Sequence, residues 1–480
     1  MALGPFSDRL EGMRCPPLSS VLPAGLALLA TLLVAVWLNT GTVGGLYARV
    51  PGLDREQGVE SIEALPPPEV GEPVASDGRP SDVSGAWPWF RGPQRDGICH
   101  EDVPLARQWP DRGPEVLWTV ELGPGHAGAA VWGGRVYVLD YDPQSQADTM
   151  RCLSLDDGQE IWRNGYPVVV MESHGMSRTV PAVVDGYVIS IGPRCHVACW
   201  DAETGRCHWL LDMVGRYGTT VPQWHTGQCP LVDGGRVILA PAGSAFMVAV
   251  DYRTGEVVWE SPKLHNWEMT HASIVPMDFA GRRTYVYCGS QGVAGIAADD
   301  GSVVWQTTEW VGKMATCPSP VVVGDGRIFF SGGYNAGSLM LGLEEQGGRI
   351  VPRTLFRLKP RRFESEQQTP ILYDGHIYGV RTNPGGKQLA CLDLEGNERW
   401  NSGRDKFERG PYLIADGLVY VMDGEGLLTL AEATPDGYQP LGKFQVFEDG
   451  HDAWGPMALV SGRLLLRDLT RMSCLDVSQK

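Results

Sequence analysis

Asp157-Gly158-Gln159-Glu160-Ile161-Trp162 is the first copy of a phrase that returns along the chain. A Gly followed four residues later by Trp recurs as Thr204-Gly205 to Trp209, Thr254-Gly255 to Trp259, Asp300-Gly301 to Trp305 and Glu395-Gly396 to Trp400. The Trp positions fall 47, 50 and 46 residues apart and then 95, which is two periods with one Trp missing. A period of roughly 40–50 residues signals stacked supersecondary units, either propeller blades or helical repeats. Here each unit consists of short apolar stretches bounded by Gly/Asp turns, without a run of helical periodicity, so the units are β.

Working outward from the phrase, an apolar–acidic pair precedes each Gly. The pairs are Leu155-Asp156, Trp200-Asp201, Val250-Asp251, Ala298-Asp299, Leu392-Asp393 and Leu475-Asp476, with Leu343-Glu344 and Ala431-Glu432 as degenerate copies, eight in all. Earlier in each unit a turn leads into a β-rich run, as in Asp185-Gly186-Tyr187-Val188-Ile189 and Asp416-Gly417-Leu418-Val419-Tyr420-Val421. One unit therefore reads strand, Asp-Gly turn, strand, strand, Thr-Gly turn, strand ending in Trp, which is a four-stranded antiparallel blade. The last unit stops at Leu475-Asp476-Val477, before its Trp strand, while an unattached Trp strand, Glu115 to Val120 with Trp118, stands before the first complete unit. If that strand completes the final blade the ring closes and no sheet edge is left open. The expected fold is all-β: an eight-bladed propeller over residues 115–480, preceded by one transmembrane helix and a disordered linker.

This pattern resembles the PQQ-like propeller repeat, with its A-x-D-x-x-T-G-x-x-x-W phrase. Asp201-Ala202-Glu203-Thr204-Gly205 to Trp209 and Asp251-Tyr252-Arg253-Thr254-Gly255 to Trp259 match it best. WD40 fits worse, because the Gly-His opening and the Trp-Asp blade ending are missing. The resemblance implies a structural, blade-docking role for Trp118, Trp162, Trp209, Trp259, Trp305 and Trp400. Trp87-Pro88-Trp89-Phe90-Arg91-Gly92-Pro93-Gln94-Arg95-Asp96-Gly97 is similar to a lead-in found before such propellers in bacterial membrane-anchored PQQ-like repeat proteins. Its aromatic side chains, in the lead-in segment 86–114, are expected to pack on the propeller rim.

The chain has 480 residues, is 43% hydrophobic and carries a formal net charge of −17, which argues against nucleic acid as a partner, since phosphate neutralisation needs a basic surface. Cys15 to Ala48 contain no charged side chain. Their apolar core, Val21 to Leu38, would cover roughly 27 Å as a helix. Residues 1–20 are then a cytoplasmic segment and 21–43 a transmembrane anchor, with Arg9 and Arg14 favouring an inside N-terminus. A cleaved signal peptide is the rival, but Leu46-Tyr47-Ala48 is a poor cleavage site. Residues 44–85, rich in Pro and Glu, read as a linker unable to bury a core. The propeller is thereby expected on the periplasmic, exocytoplasmic side of the cell membrane.

Most of the eleven cysteines fall at apolar strand positions, where Cys behaves as a small hydrophobe. Cys199 and Cys207 would face each other across a Thr204-Gly205 hairpin, where a disulfide is open as one reading. His196 and His208 beside them suggest a metal at first sight, but strand alternation turns each away from its Cys neighbour, so no metal site is expected.

In quinoprotein dehydrogenases that share these blades, the resemblance implies PQQ stacked between a Trp floor and a vicinal disulfide, with Ca²⁺ and a catalytic Asp nearby. This sequence has no Cys-Cys dipeptide and no C-x-x-C-H haem site, so no catalytic residue can be carried over and no cofactor is expected. Nor is there a G-x-S-x-G elbow, an H-E-x-x-H motif or a nucleotide loop. The loop entering the innermost strand of each unit converges on one mouth of the channel, and that position reads His126, Arg178, His225, His271, Thr316, Gln368, Arg409 and Trp454. Either these line a solvated funnel, or they form a pocket for a polar or anionic small molecule or a peptide loop. The function expected is a non-catalytic binding or scaffolding module, comparable with the non-enzymatic propeller of outer-membrane assembly. The alternative is a divergent quinoprotein oxidoreductase using PQQ.

Overall fold

A computed structural model describes residues 18–39, 67–171, 173–382 and 387–480, with side chains of 26–36 alone in the first stretch. The protein divides into two units, Met1–Ser61 and Ile62–Lys480. The described part of the first is one helix, Leu18–Asn39. The expected span 21–43 runs into residues 40–43, outside the described residues. Among those that are described, no helix is long and apolar enough to cross a membrane.

The second unit is the propeller: among the described residues eight sheets, each built on a four-stranded antiparallel blade, with one short strand added to blade 1 and one to blade 7. Blade 2 gives the pattern, running outward from the channel as Ala182–Val184, Tyr187–Ile191, His196–Asp201 and Cys207–Asp212. Its first turn has both Asp185 (φ 48°) and Gly186 (φ 83°) in the left-handed region, the geometry that a two-residue Asp-Gly hairpin requires. The ring closes as the two ends of the sequence imply. Glu115–Glu121 pairs antiparallel with Arg471–Asp476, placing Trp118 opposite Cys474, so the first propeller strand is the outer strand of blade 8.

The repeated phrase works between blades. The indole Nε1 of Trp118, Trp162, Trp209, Trp259 and Trp400 each donates to a carbonyl of the next blade, on Leu155, Ala202, Tyr252, Ala298 and Thr434 respectively. The glycine of that next blade's turn lies against the ring: a Cβ at Gly158 would come within 2.8 Å of Trp118, and one at Gly301 within 2.5 Å of Trp259. The missing Trp is Phe356. It stands opposite Met340 at the same bulge, and a Cβ at Gly396 would meet it at 2.8 Å. Blade 7 has Gly442 at this bulge, covered by Trp109 from the lead-in segment. Trp305 is the exception, its Nε1 buried without a partner among the described residues. The blade that follows replaces the Thr-Gly turn with a long hairpin, Gly337–Gln346 and Arg349–Leu358, so the accepting carbonyl is lost.

Two expectations need correction. The cysteine pairing fails on register. A bulge after Cys199 puts Cys199 opposite Trp209 and Trp200 opposite Cys207, and all ten described cysteines are free thiols. The Trp87–Gly97 motif does not run along the rim. Residues 87–101 enter the channel and bond to the inner strands: Trp87 bridges Val131 of blade 1, Pro88 O accepts from Val183 N of blade 2, and Ile98–Cys99 pairs parallel with Ile414–Ala415 of blade 7. Arg91 donates to Thr369 O and Pro370 O at the entry to blade 6, and Arg95 to Val232 O of blade 3. The cause is the inner strands themselves, whose unpaired peptide groups line the channel and would be costly to leave without partners. Part of the expected linker is likewise ordered: Val74–Ala75 pairs with Arg163 and Trp162 and covers the outer edge of blade 1.

Candidate functional site

At the end of the channel where the inter-blade loops converge, the plug closes the floor and leaves a cup of about 210 Å³. Phe90, from the tip of the plug, forms its base, and the loops leading to the blades form its wall. Of the residues expected at the mouth, His126, Arg178, His271, Gln368, Arg409 and Trp454 line this cup. His225 and Thr316 do not; their sequence neighbours Trp224 and Cys317 do. At His225 the reason is the backbone, since Trp224 (φ 66°) and His225 (φ 72°) are both left-handed and the turn exchanges which side chain faces inward. Phe90 and Tyr334 were missed. Phe90 belongs to a segment outside the repeat, and Tyr334 comes from the turn between the second and third strands of blade 5, whereas the expectation followed only the loops between blades.

The polar side chains of the cup mostly bind neighbouring loops. His126 Nε2 lies 2.7 Å from His174 O, and His271 Nε2 lies 2.7 Å from Gln223 O. Outside the cup, His225 Nε2 is 2.9 Å from Met171 O. A ring nitrogen facing a carbonyl is the protonated donor, which fixes the tautomer. Gln368 donates to Arg409 O at 3.2 Å and Trp454 O at 3.0 Å, joining the entries to blades 6, 7 and 8. Burial pulls His126 down to about 3 and His271 to about 4, so both are neutral at ordinary pH and add no positive charge to the cup.

The two arginines differ. Arg409 pairs with Glu366 through Nε and lies 5.3 Å above the Trp454 ring. Burial alone would lower its pKa, but the Glu366 carboxylate outweighs this and holds it above the ordinary value. Arg178 donates through Nε to Trp224 O and through Nη2 to Ser173 O and Gly175 O, without a carboxylate partner among the described residues. Burial lowers Arg178 to about 10, which leaves it charged at neutral pH. The nearby Cys317 thiol offers no counter-charge, since burial pushes it up to about 12. Among the described residues, no Asp or Glu lines the cup.

This donor set does not fit a quinone cofactor with its metal. A hard cation needs carboxylate or carbonyl oxygens, and the described wall has no carboxylate. Cys229 and Cys317 are separate free thiols, so no vicinal disulfide is formed. Among the described residues no group of three or more His, Cys, Asp or Glu could hold a metal ion.

Residues 146–402 match the family described as outer membrane protein assembly factor BamB. The BamB of Moranella endobia (strain PCIT) is 21% identical over 327 residues, covering 65% of this protein and 67% of that one. Among solved structures, BamB from Moraxella catarrhalis aligns with a TM-score of 0.56 at 13% identity, covering 75% of this protein and 99% of the other. A europium-containing methanol dehydrogenase aligns at 0.57 and 12% identity, covering 80% and 89%. At these identities the structural likeness concerns the fold alone.

Proposed function

The protein belongs to the PQQ-like propeller family of the outer membrane protein assembly factor BamB, and from that premise we propose that it is a non-catalytic binding module whose working face is the channel mouth. The observation that supports this most is the cup: a charged arginine without a carboxylate partner among the described residues, aromatic walls, and no described cluster of side chains able to hold a metal ion. Exposed apolar side chains on the surrounding loops, Val169, Met171, Val311 and Met314, give the same face a rim suited to a protein partner. The test is affinity capture from native membranes with the full-length protein and with Val169→Asp combined with Met314→Asp. The reading expects a partner that is lost with the double variant and no dye reduction with PQQ and Ca²⁺. Capture indifferent to the rim, or PQQ-dependent turnover by the wild type, would overturn it.

In the same reading the module is tethered by residues 21–43 with the propeller in the periplasm. The support is the helix Leu18–Asn39, whose sequence contains no Asp, Glu, Lys or Arg and whose described leucines are exposed. Protease added to spheroplasts should then remove the propeller and leave a protected N-terminal stub; full protection reverses the assignment.

A further inference from the structure

We infer that the cup is a receptor for a single carboxylate attached to a flat or apolar body of side-chain size, and that Arg178 alone of the two arginines takes it. The inference deepens the binding-module reading and rests on it.

The charge argument comes first. Arg409 is already neutralised by Glu366, whereas Arg178 is satisfied through Nε and Nη2 by neutral carbonyls and keeps its charge. Nη1 takes no part in those bonds. The carbonyls on Nε and Nη2 hold the guanidinium in place and leave Nη1, with its two N–H donors, to meet an incoming carboxylate. Its neighbours add no competing anion, since the Cys317 thiol is protonated and no Asp or Glu lines the described wall.

Shape supplies the rest. One wall is the stacked pair His126 and Trp454, with ring centres 5.1 Å apart and planes 26° from parallel. Trp224 and His271, from the loops entering blades 3 and 4, form the facing wall, and Phe90 is the floor. Because His126 and His271 stay neutral, these surfaces offer faces for stacking. A volume of about 210 Å³ admits a single ring with its acid. A free small acid and the C-terminal residue of a peptide present this same group.

The experiment is calorimetric titration of the full-length protein with phenylacetate and with its neutral isostere phenylacetamide, then with Gly-Gly-Phe as free acid and as amide. The acid should bind roughly tenfold or more tighter than the amide. That preference should vanish in Arg178→Gln, weaken in Arg178→Lys, and persist when Arg409→Gln is combined with Glu366→Gln. A tighter fit for the tripeptide acid than for phenylacetate identifies the source as a polypeptide C-terminus, and the reverse identifies a free small acid. Should Arg178→Gln not fold, the acid-against-amide comparison on the wild type and on Arg178→Lys decides. Equal binding of acid and amide, no binding of any acid, or a preference that survives Arg178→Gln overturns the inference. Rim-dependent partner capture without acid binding would sink it while leaving the binding-module reading intact. Acid binding with rim-independent capture would do the opposite.

Discussion

Gly205 of blade 2 lies directly against the indole of Trp162 of blade 1, so close that a Cβ there would stand 2.4 Å from Trp162 Cε3. The Gly and Trp of the repeated phrase are therefore partners across blades, and each copy docks onto the copy before it. Gly205 also sits at φ 74°, so both its backbone and its missing side chain are required.

Gly205→Ala should thus lower stability by about 3 kcal/mol, from left-handed strain and overpacking together. Gly186 has a similar φ of 83°, but a Cβ added there would meet nothing within 4 Å, and Gly186→Ala should cost only about 1 kcal/mol. Denaturant unfolding of the two variants separates strain from overpacking. Equal losses would show that strain alone matters.

Trp162 and Trp305 provide a second pair. Trp162→Phe removes the indole's hydrogen bond to Ala202 O, which keeps Tyr137 OH as its second donor, at a cost of about 1 kcal/mol beyond the lost area. Trp305→Phe removes a donor that has no partner among the described residues and should cost less. Thermal melts of both variants check the order.

Removal of Arg91 should be severe. Its guanidinium makes four hydrogen bonds, to Arg95 O, Thr369 O, Asp96 O and Pro370 O, tying the plug both to itself and to the entry of blade 6. Arg91→Ala is expected to cost about 3 kcal/mol or more, and Arg91→Lys should not rescue it, since an ammonium cannot reproduce the fork. Hydrogen exchange on the inner-strand amides near the plug, such as Val183, should rise in both variants.

Asp148 is fully buried, accepts from Tyr166 OH, and leaves Oδ1 without a partner among the described residues. Burial raises its carboxyl to about 7, well above the usual carboxylate range. The folded state therefore holds a proton that the unfolded polypeptide releases, so the stability it contributes is complete below about 4 and is lost as pH rises to about 7. Asp148→Asn removes this dependence. Its stability relative to the wild type should climb by about 1.4 kcal/mol per pH unit across that window and then level off. A constant difference from pH 4 to 8 would contradict the assignment.

The propeller was legible because its signals are local and repeated. A Gly four residues before a Trp encodes a left-handed turn and a docking ring in five blades, and the stranded Glu115–Val120 segment encodes closure. The mouth was legible in part for the same reason: repeat register located His126, Arg178, His271, Gln368, Arg409 and Trp454 on one cup. At Trp224 and His225 it failed, because two left-handed residues reverse the side-chain faces without changing the register.

The sequence by itself determined blade number and closure, since each depends on short-range pattern repeated around a circle. Only the tertiary structure decided that Trp87–Cys99 fills the channel, that Phe356 stands in for the missing Trp, and that Arg409 is paired with a carboxylate while Arg178 is held by carbonyls. Those facts depend on which groups from distant segments meet. Arg91 and Pro370 are 279 residues apart, and Arg409 and Glu366 are 43 apart on different loops. A pairing across such separations is set by how the closed ring brings loops together, and no periodicity in the sequence encodes it.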